Sequence, residues 1–438
     1  MSEWFATLSH WLEANPEWLG LTIFLAACLE CLAVAGIVIP GTVLLFTLSV
    51  LAGSGALGLS ETLLLAYAGG LLGDAISYGL GRRFHQGIRG LPVLRDHPEW
   101  LSGAEHYFKR YGVASLLVGR YIGPLRPMLP LVAGMLDMPV VRFFLVSMLA
   151  AAGWAIAYIL PGWATGAAIR LPLPEGFWSA AGIVAAGVGL MLVVLILSSL
   201  REQRWTVPAA AGSSAVLLLA LLIGIPHLDA LDKGLIALVQ EHRSASVDSL
   251  AMLITGLGDF RTQVAAGVLV TLLLLLSRRV HAALFLASCT LFTALATTGL
   301  KLLFARARPD VLHQPLETFS LPSGHSSAAF AFFLALGVLA GRGASARTRL
   351  TWLLLASLPA LSIAASRVYL GVHWPTDILA GALLAGSVCA ASLAWLQRRE
   401  PMRPLGAQVW WLVLPATLAL LGGVSAWALP EAIQQYRY

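Results

Sequence analysis

Three clusters of polar residues interrupt otherwise apolar sequence between positions 301 and 377. The first holds Lys301 and Arg308-Pro309. The second is Pro322-Ser323-Gly324-His325. The third holds Ser366-Arg367, His373 and Asp377. Together they supply three cations, two imidazoles, a hydroxyl and a carboxylate, the inventory for binding a phosphate and breaking its ester or anhydride bond. Arginine grips phosphate by a bidentate fork and lysine as a point charge. The chain has three lysines (Lys109, Lys233, Lys301) among 28 basic residues, so a lysine at the edge of an apolar run argues for a purpose.

The spacing suggests how these groups act. Pro322-Ser323-Gly324-His325 precedes the apolar run Ala328 to Leu339. Ser323 is therefore placed at a helix N-cap, where the N–H groups of Gly324 and His325 can cradle phosphate oxygens. His373 and Asp377 are four apart with Pro375 between them, so a helix is predicted to start near Trp374. Asp377, one turn in, can reach back to the imidazole and fix its tautomer, freeing the other nitrogen to attack phosphorus. His325 can protonate the leaving oxygen, and water then hydrolyses the phosphohistidine. The three cations and the helix N–H groups meet the charge of the transition state, so neither metal nor cofactor is expected. Taken singly, a cation at a helix end snorkels and a histidine caps; eight such residues at these spacings weigh against that reading. Arg306 and His313 share the loop but fall outside the pattern, and both are expected to be solvated.

The pattern Lys-x6-Arg-Pro, Pro-Ser-Gly-His, Ser-Arg-x5-His-x3-Asp resembles the type 2 phosphatidic acid phosphatase family over roughly residues 206–396. The resemblance implies that His373 is the nucleophile and that His325 and Asp377 are acid and orienter. It also implies that Lys301, Arg308, Ser323, Gly324 and Arg367 bind phosphate.

The elements that must position these residues are membrane helices. Of 438 residues, 58% are hydrophobic and 11% charged, against about 25% charged in a soluble domain. Apolar windows long enough to span recur throughout, which predicts an all-α polytopic membrane protein. Open sheets are excluded because their edge groups stay unpaired in lipid. The net charge of +6 is nearly all arginine and suits cytoplasmic-face anchoring; no basic, aromatic-interleaved groove suggests nucleic acid. Residues 1–19 hold Trp4, Phe5, Trp11, Leu12 and Trp18 among polar residues, which fits an interfacial amphipathic helix and not a cleaved signal. Cys28, Cys31, Cys289 and Cys389 sit in apolar spans and are expected to act as small hydrophobes.

A basic break, Arg201-Glu202-Gln203-Arg204-Trp205, is taken as the linker between two halves. Residues 1–200 form the first domain, 206–400 the second, and 401–438 an extra transmembrane helix and tail. In the second half, spans are predicted at about 206–225, 260–277, 280–300, 325–341, 351–366, 376–396 and 408–429, a six-helix bundle plus one. The connections bearing Arg201/Arg204, Arg278/Arg279, Arg342/Arg347/Arg349 and Arg398/Arg399/Arg403 then share one side, cytoplasmic by the positive-inside tendency. The phosphate-binding clusters fall on the opposite side, facing the periplasm or cell exterior.

The first half is less regular. Spans are predicted at about 18–37, 60–80, 141–167 and 176–199. Two further segments, from Ile39-Pro40-Gly41 to Gly53 and from Gly123-Pro124 to Gly134, are broken by proline and glycine and suggest re-entrant hairpins of an inverted repeat. Ionisable residues inside apolar sequence tend to be functional. Here they are Glu30, Asp74, Arg120 and Arg126. An arginine pair suits a lipid phosphate, and a carboxylate can carry a proton. Burial as ion pairs that fix helix register is the alternative. Arg82 and Arg83 are expected to anchor at the interface.

Glu30, Pro40-Gly41, Gly73-Asp74, Tyr78, Gly81-Arg82, Arg120-x3-Pro124-x-Arg126 and Ala133-Gly134-Met135 together resemble the DedA family over about residues 15–170. Its members are membrane proteins associated with lipid transport, some implicated in returning undecaprenyl phosphate across the bacterial inner membrane. The resemblance implies Glu30, Asp74, Arg120 and Arg126 as transport residues. Thr42 departs from the family's frequent acidic residue after Pro-Gly.

The joint expectation is a bifunctional protein of the bacterial inner membrane. One half hydrolyses a lipid diphosphate, undecaprenyl diphosphate foremost, at the outer face. The other carries the lipid monophosphate inward, with proton coupling as an option. Two alternatives stay open. In one, a structural or assembly N-terminal half accompanies a phosphatase for phosphatidic acid or phosphatidylglycerol phosphate. In the other, the N-terminal half binds lipid without moving it.

Overall fold

The computed structural model describes every residue except 1–10, 13, 34, 39–40, 91, 113, 122, 124, 201–204, 314–315, 399–401 and 437–438. Trp4, Phe5, Pro40, Pro124, Arg201, Arg204 and Arg399 of the sequence reading therefore lie outside the described residues. The described residues form helices and connecting turns, with no strand among them. Nine described helices are long and apolar enough to cross a membrane, and a bent pair can supply a tenth.

The chain divides into two compact units between Leu173 and Pro174. The sequence reading places its linker at 201–205 instead. The helix Phe177–Leu200 packs within the second unit, where Arg349 donates to the Ser199 carbonyl at 3.0 Å.

In the first unit, α1 (Leu19–Cys31), α2 (Gly41–Leu51), α3 (Leu59–Phe84), α4 (Pro98–Tyr111), α5 (Leu125–Met135) and α6 (Val140–Arg170) are the main elements. The single span expected at 18–37 is broken. Leu32 is extended after α1, and the Ala33 amide donates to Ser77 Oγ at 2.8 Å. The two interrupted segments give α2 and α5, each of 11 residues. The first continues directly through Ala52–Ala56, and both remain shorter than the ~20 residues a spanning helix needs.

Close helix approach brings the ionisable residues of this unit together. Gly69 and Gly73 are one turn apart on α3. A Cβ at either would lie 2.2 Å from the Phe24 carbonyl oxygen or 2.4 Å from that of Cys28, so only glycine admits α1 here. Gly81 on α3 and Gly134 on α5 do the same for that pair, against the Leu131 and Tyr78 carbonyls. Glu30 and Arg126 are thereby carried beside Asp74 on α3.

The second unit contains α7 (Phe177–Leu200), α8 (Thr206–Gly224), α9 (Asp229–Glu241), α10 (Ala245–Gly256), α11 (Phe260–Leu276), α12 (Val280–Phe304), α13 (Gly324–Gly341), α14 (Ala346–Tyr369), α15 (Pro375–Leu396) and α16 (Ala407–Gln435). The predicted spans agree with α8 and α11–α16. The chain bends by 46° between α10 and α11. Gly258 at this bend lies against Ile363 and His325, where a Cβ would sit 2.4 Å from Ile363 Cγ2. The core between α11–α16 is built from small and aromatic side chains such as Phe285, Phe332, Ala335 and Ile363. Gly381 lets α15 cross α13 beside Ser323 and Ser327.

This packing gathers four helix ends. The C-termini of α12 and α14 and the N-termini of α13 and α15 carry the three polar clusters. The other ends of the same helices carry Arg279, Arg342, Arg347 and Arg398.

Candidate functional site

In the second unit the site is organised around His373, which is buried in the loop before α15. Its Nδ1 lies 3.4 Å from Asp377 Oδ2 and 3.3 Å from Ser320 Oγ. Ser320 also hydrogen-bonds Asp377. Its Nε2 lies 3.0 Å from an Arg308 Nη1. A guanidinium can only donate, so Nε2 is the acceptor and the proton resides on Nδ1, toward Asp377. The Nε2 lone pair therefore points at a cation. Burial, then the charges of Arg308, Arg367 and Lys301, hold the imidazole well below the usual histidine range of about 6.5. His373 is thus neutral across ordinary assay conditions.

Asp377 is oriented from several directions. As the third residue of α15 it accepts from the Trp374 amide at 2.9 Å, the helix-start geometry expected from Pro375. Its Oδ1 accepts from Arg306 at 2.8 Å. Arg306 also binds Thr376 Oγ1 at 2.8 Å and Asp232 Oδ2 at 2.7 Å. Asp232 in turn accepts from the amide and hydroxyl of Thr376 at 3.0 and 2.6 Å. Arg306 is thus not solvated as expected; it is clasped between two buried carboxylates. His313 is exposed, as expected.

The three cations reach the site from separate elements. Lys301 Nζ donates to the Phe319 carbonyl. Arg308 donates to the carbonyls of Thr318 and Val372, both at 2.7 Å. Burial and the nearby Arg367 charge bring its guanidinium down to about 10, still charged at neutral pH. Arg367 is almost fully buried. One of its terminal nitrogens serves Thr255 Oγ1 at 2.9 Å and Tyr436 Oη at 2.8 Å, while Nε has no partner among the described residues. Ser323 caps α13, accepting from Ser326 N. His325, in the first turn of α13, is close enough to interact electrostatically with Arg367, His373, Arg308 and Lys301. All eight phosphate-site residues named from the sequence converge.

Sequence reasoning missed Asp232, Thr255, Thr318, Ser320 and Tyr436. Asp232 carried a usable signal, a carboxylate in a short segment between two apolar runs. Thr255, Thr318, Ser320 and Tyr436 carried none.

In the first unit Glu30, Asp74, Arg120 and Arg126 are all buried and form two ion pairs, Arg120 with Asp74 and Arg126 with Glu30. Ser147 donates to Asp74 at 2.8 Å. Trp154 lies beneath both arginines, 5.1 and 5.6 Å from their guanidinium carbons, and Tyr158 lies 4.7 Å from that of Arg126. Glu30 Oε2, Asp74 Oδ1, Arg120 Nε and Trp154 Nε1 have no hydrogen-bond partner among the described residues. Such a concentration of unmet polar atoms suits a site that takes a polar ligand. Cys31 is buried and accepts from Arg120 at 3.5 Å; the four cysteines are free thiols.

Residues 282–401 match the model of the PAP2 superfamily, and residues 39–164 match that of the VTT domain. Inner membrane protein YabI of Escherichia coli is 38% identical over 167 residues, 38% of this chain and 66% of its own length. An uncharacterized membrane protein of Synechocystis is 32% identical over 39% of this chain and 81% of its own length. Inner membrane protein YqjA of E. coli is 30% identical over 35% and 71%. The chain spans 59% to 66% of the length of the first curated relatives it matches. The transmembrane PAP2 type phosphatidylglycerolphosphate phosphatase of Bacillus subtilis is a structural neighbour, 22% identical with a TM-score of 0.41, covering 44% of this chain and 99% of its own.

The buried pairs of the first unit set an expectation for stability. Asp74→Asn should leave Arg120 uncompensated and cost about 3–5 kcal/mol, whereas Asp74→Asn with Arg120→Met should recover most of that loss. Thermal unfolding in detergent reads both; an unchanged midpoint for Asp74→Asn would show that the pair carries no structural load. The VTT domain match and the relatives that share it place this multi-pass membrane protein in the DedA family through its N-terminal unit, while its C-terminal unit carries a PAP2 superfamily domain.

Proposed function

We propose that the C-terminal unit is a lipid phosphatase that removes phosphate from a lipid diphosphate, foremost undecaprenyl diphosphate, at the outer face of the bacterial inner membrane. The N-terminal unit carries the resulting lipid monophosphate inward. The observation that supports the chemistry best is the His373 Nε2 lone pair facing Arg308 while Nδ1 faces Asp377. Arg308, Arg367 and Lys301 take the phosphate oxygens. Nε2 forms a bond to phosphorus as the bond to the leaving oxygen breaks, and His325 gives that oxygen its proton. Asp377 holds Nδ1–H and stabilises the positive charge that develops on the ring. Water, deprotonated by His325, then attacks phosphorus, releasing inorganic phosphate and restoring Nε2. Arg306 neutralises one Asp377 oxygen and leaves the other for the imidazole, and Asp232 holds Arg306 in place.

The outer-face orientation rests on charge. The arginine-bearing ends of α12–α15 lie opposite the phosphate site, and arginine favours the cytoplasmic side. Joining the two activities in one chain raises the effective concentration of the shared lipid. A second reading has its own support. Arg120 and Arg126 are both paired with carboxylates, as a purely structural unit would have them, and the phosphatase would then act alone on phosphatidic acid or phosphatidylglycerol phosphate.

Three measurements test this. Phosphate release from a panel of purified lipid phosphates should be highest for the isoprenoid diphosphate and persist in chelator. His373→Ala should abolish it, and Asp377→Asn should slow it by about 10²–10⁴-fold; full activity in His373→Ala would reject the covalent route.

The acid limb of kcat/KM reports His373 in the free enzyme. The neutral ring attacks and its folded value is depressed, so activity should survive below pH 6.5 and vanish only as pH falls through the lowered value. Arg308→Gln removes a repelling charge and should move the limb upward; a limb at or above the free-imidazole position in the wild type would contradict the assignment.

In proteoliposomes, inward movement of lipid monophosphate should persist in His373→Ala and disappear in Arg126→Ala. Equal transport in both variants would count against the assignment of Arg126, and a wild type that moves no lipid monophosphate would favour the structural reading of the first unit.

A further inference from the structure

Helix α16 lies beyond the PAP2 match, which ends at residue 401, and its residues entered none of the chemistry above. It packs along α10 and α11, with Ser425 Oγ donating to the Leu253 carbonyl at 2.5 Å. Its C-terminal end delivers Tyr436 into the second unit, where that side chain is 5% exposed. The ring touches a small apolar cluster that includes Leu312, four residues after Arg308, and Val372, the residue before His373. The phenol oxygen accepts from Arg367 at 2.8 Å, and the ring centroid lies 5.3 Å from the guanidinium carbon. The Tyr436 carbonyl accepts from Arg243 at 3.3 Å, and Arg243 is itself fixed by Asp248 at 2.9 Å. Arg367 is thus held by one nitrogen, shared between Thr255 and Tyr436. Its Nε is buried without a partner among the described residues.

We infer that Tyr436 is a positioning residue for phosphate binding. It fixes one edge of the Arg367 guanidinium so that the Nε edge is presented to the anion, which makes α16 a working part of the phosphatase. The inference deepens the phosphatase reading and rests on it. A planar guanidinium has one orientation in which a given edge meets a phosphate, and both of its outer partners, Thr255 on α10 and Tyr436 after α16, come from outside the matched region. Tyr436 holds it twice, by the hydroxyl acceptor and by the ring face.

The experiment uses full-length protein and two probes. One is the lipid phosphate that the wild type hydrolyses fastest. The other is inorganic phosphate as a competitive inhibitor, which reads the anion site without the lipid tail. Tyr436→Phe keeps the ring and removes the acceptor. It should raise both the KM and the inhibition constant for phosphate about tenfold, the loss expected for one hydrogen bond to a charged group. Tyr436→Leu removes the ring as well and should raise them further. A Tyr436→Phe enzyme with wild-type KM and inhibition constant overturns the inference while leaving the phosphatase reading intact. So does a Tyr436→Leu enzyme that melts earlier but binds phosphate normally, because Tyr436 is then only packing. A wild type that neither releases phosphate from any lipid phosphate nor is inhibited by it overturns both.

Discussion

Charge inside an apolar molecule has to be met by something, and in this chain the choice of what meets it separates two kinds of site. Removing an ion from water costs several kcal/mol even after relaxation. In the first unit the answer is an opposite charge, with Arg120 on Asp74 and Arg126 on Glu30. In the second unit Asp377 and Asp232 share Arg306, but Lys301, Arg308 and Arg367 are met by carbonyls, hydroxyls and an imidazole. None of those three forms a salt bridge among the described residues. Three positive charges held by dipoles alone leave a field that a phosphate dianion would relieve.

That contrast orders the rest of the second unit. A cation held by carbonyls needs those carbonyls in fixed places, and the connections between helices supply them. Thr318 and Phe319 lie in the loop between α12 and α13, and Val372 in the turn between α14 and α15. The same turn presents His373, and the first turn of α15 presents Asp377 with its hydrogen bond to the Trp374 amide. His373, Asp377 and two of the neighbouring cations thus depend on one junction, α14 to α15. Gly371 in that junction has φ +69 and packs against Val311, so a side chain there would meet both strained backbone and a filled space. Asp232, on α9, braces the junction from outside through Thr376 and Arg306.

Much of this was legible in the sequence, for a physical reason. Long apolar runs name membrane spans, and polar residues inside them stand out because lipid penalises them. The eight residues that come together in the second unit could therefore be gathered from spacing before any coordinates. What stayed hidden was the support around them. Arg306 looked like a loop residue because its partners, Asp232 and Asp377, lie 74 and 71 positions away. Tyr436 sits 69 positions from Arg367, in a tail whose composition carries no signal. The break after Cys31 was hidden because the apolar run continues through it; the chain turns there to satisfy Ser77 and to seat Glu30, not because its composition changes. Charge reports exit from lipid, while contacts decide which helices fold together, so the basic break at 201–205 and the division between Leu173 and Pro174 fall at different places.

The two units therefore present different problems to one kind of ligand. A lipid phosphate arriving at the second unit meets cations that lack carboxylate partners, so binding there removes repulsion and displaces no ion. At the first unit the same group would have to compete with Glu30 and Asp74 for the arginines. Each guanidinium it takes would leave behind a carboxylate in an apolar surround, whose charge must be met by a proton or another cation. Anion entry would then require cation entry in the first unit and not in the second. The unmet oxygens Glu30 Oε2 and Asp74 Oδ1 lie where such a cation would be received. A hydrolase needs no such exchange, because its phosphate leaves by chemistry; a carrier does, because the same headgroup must be bound and then released unchanged.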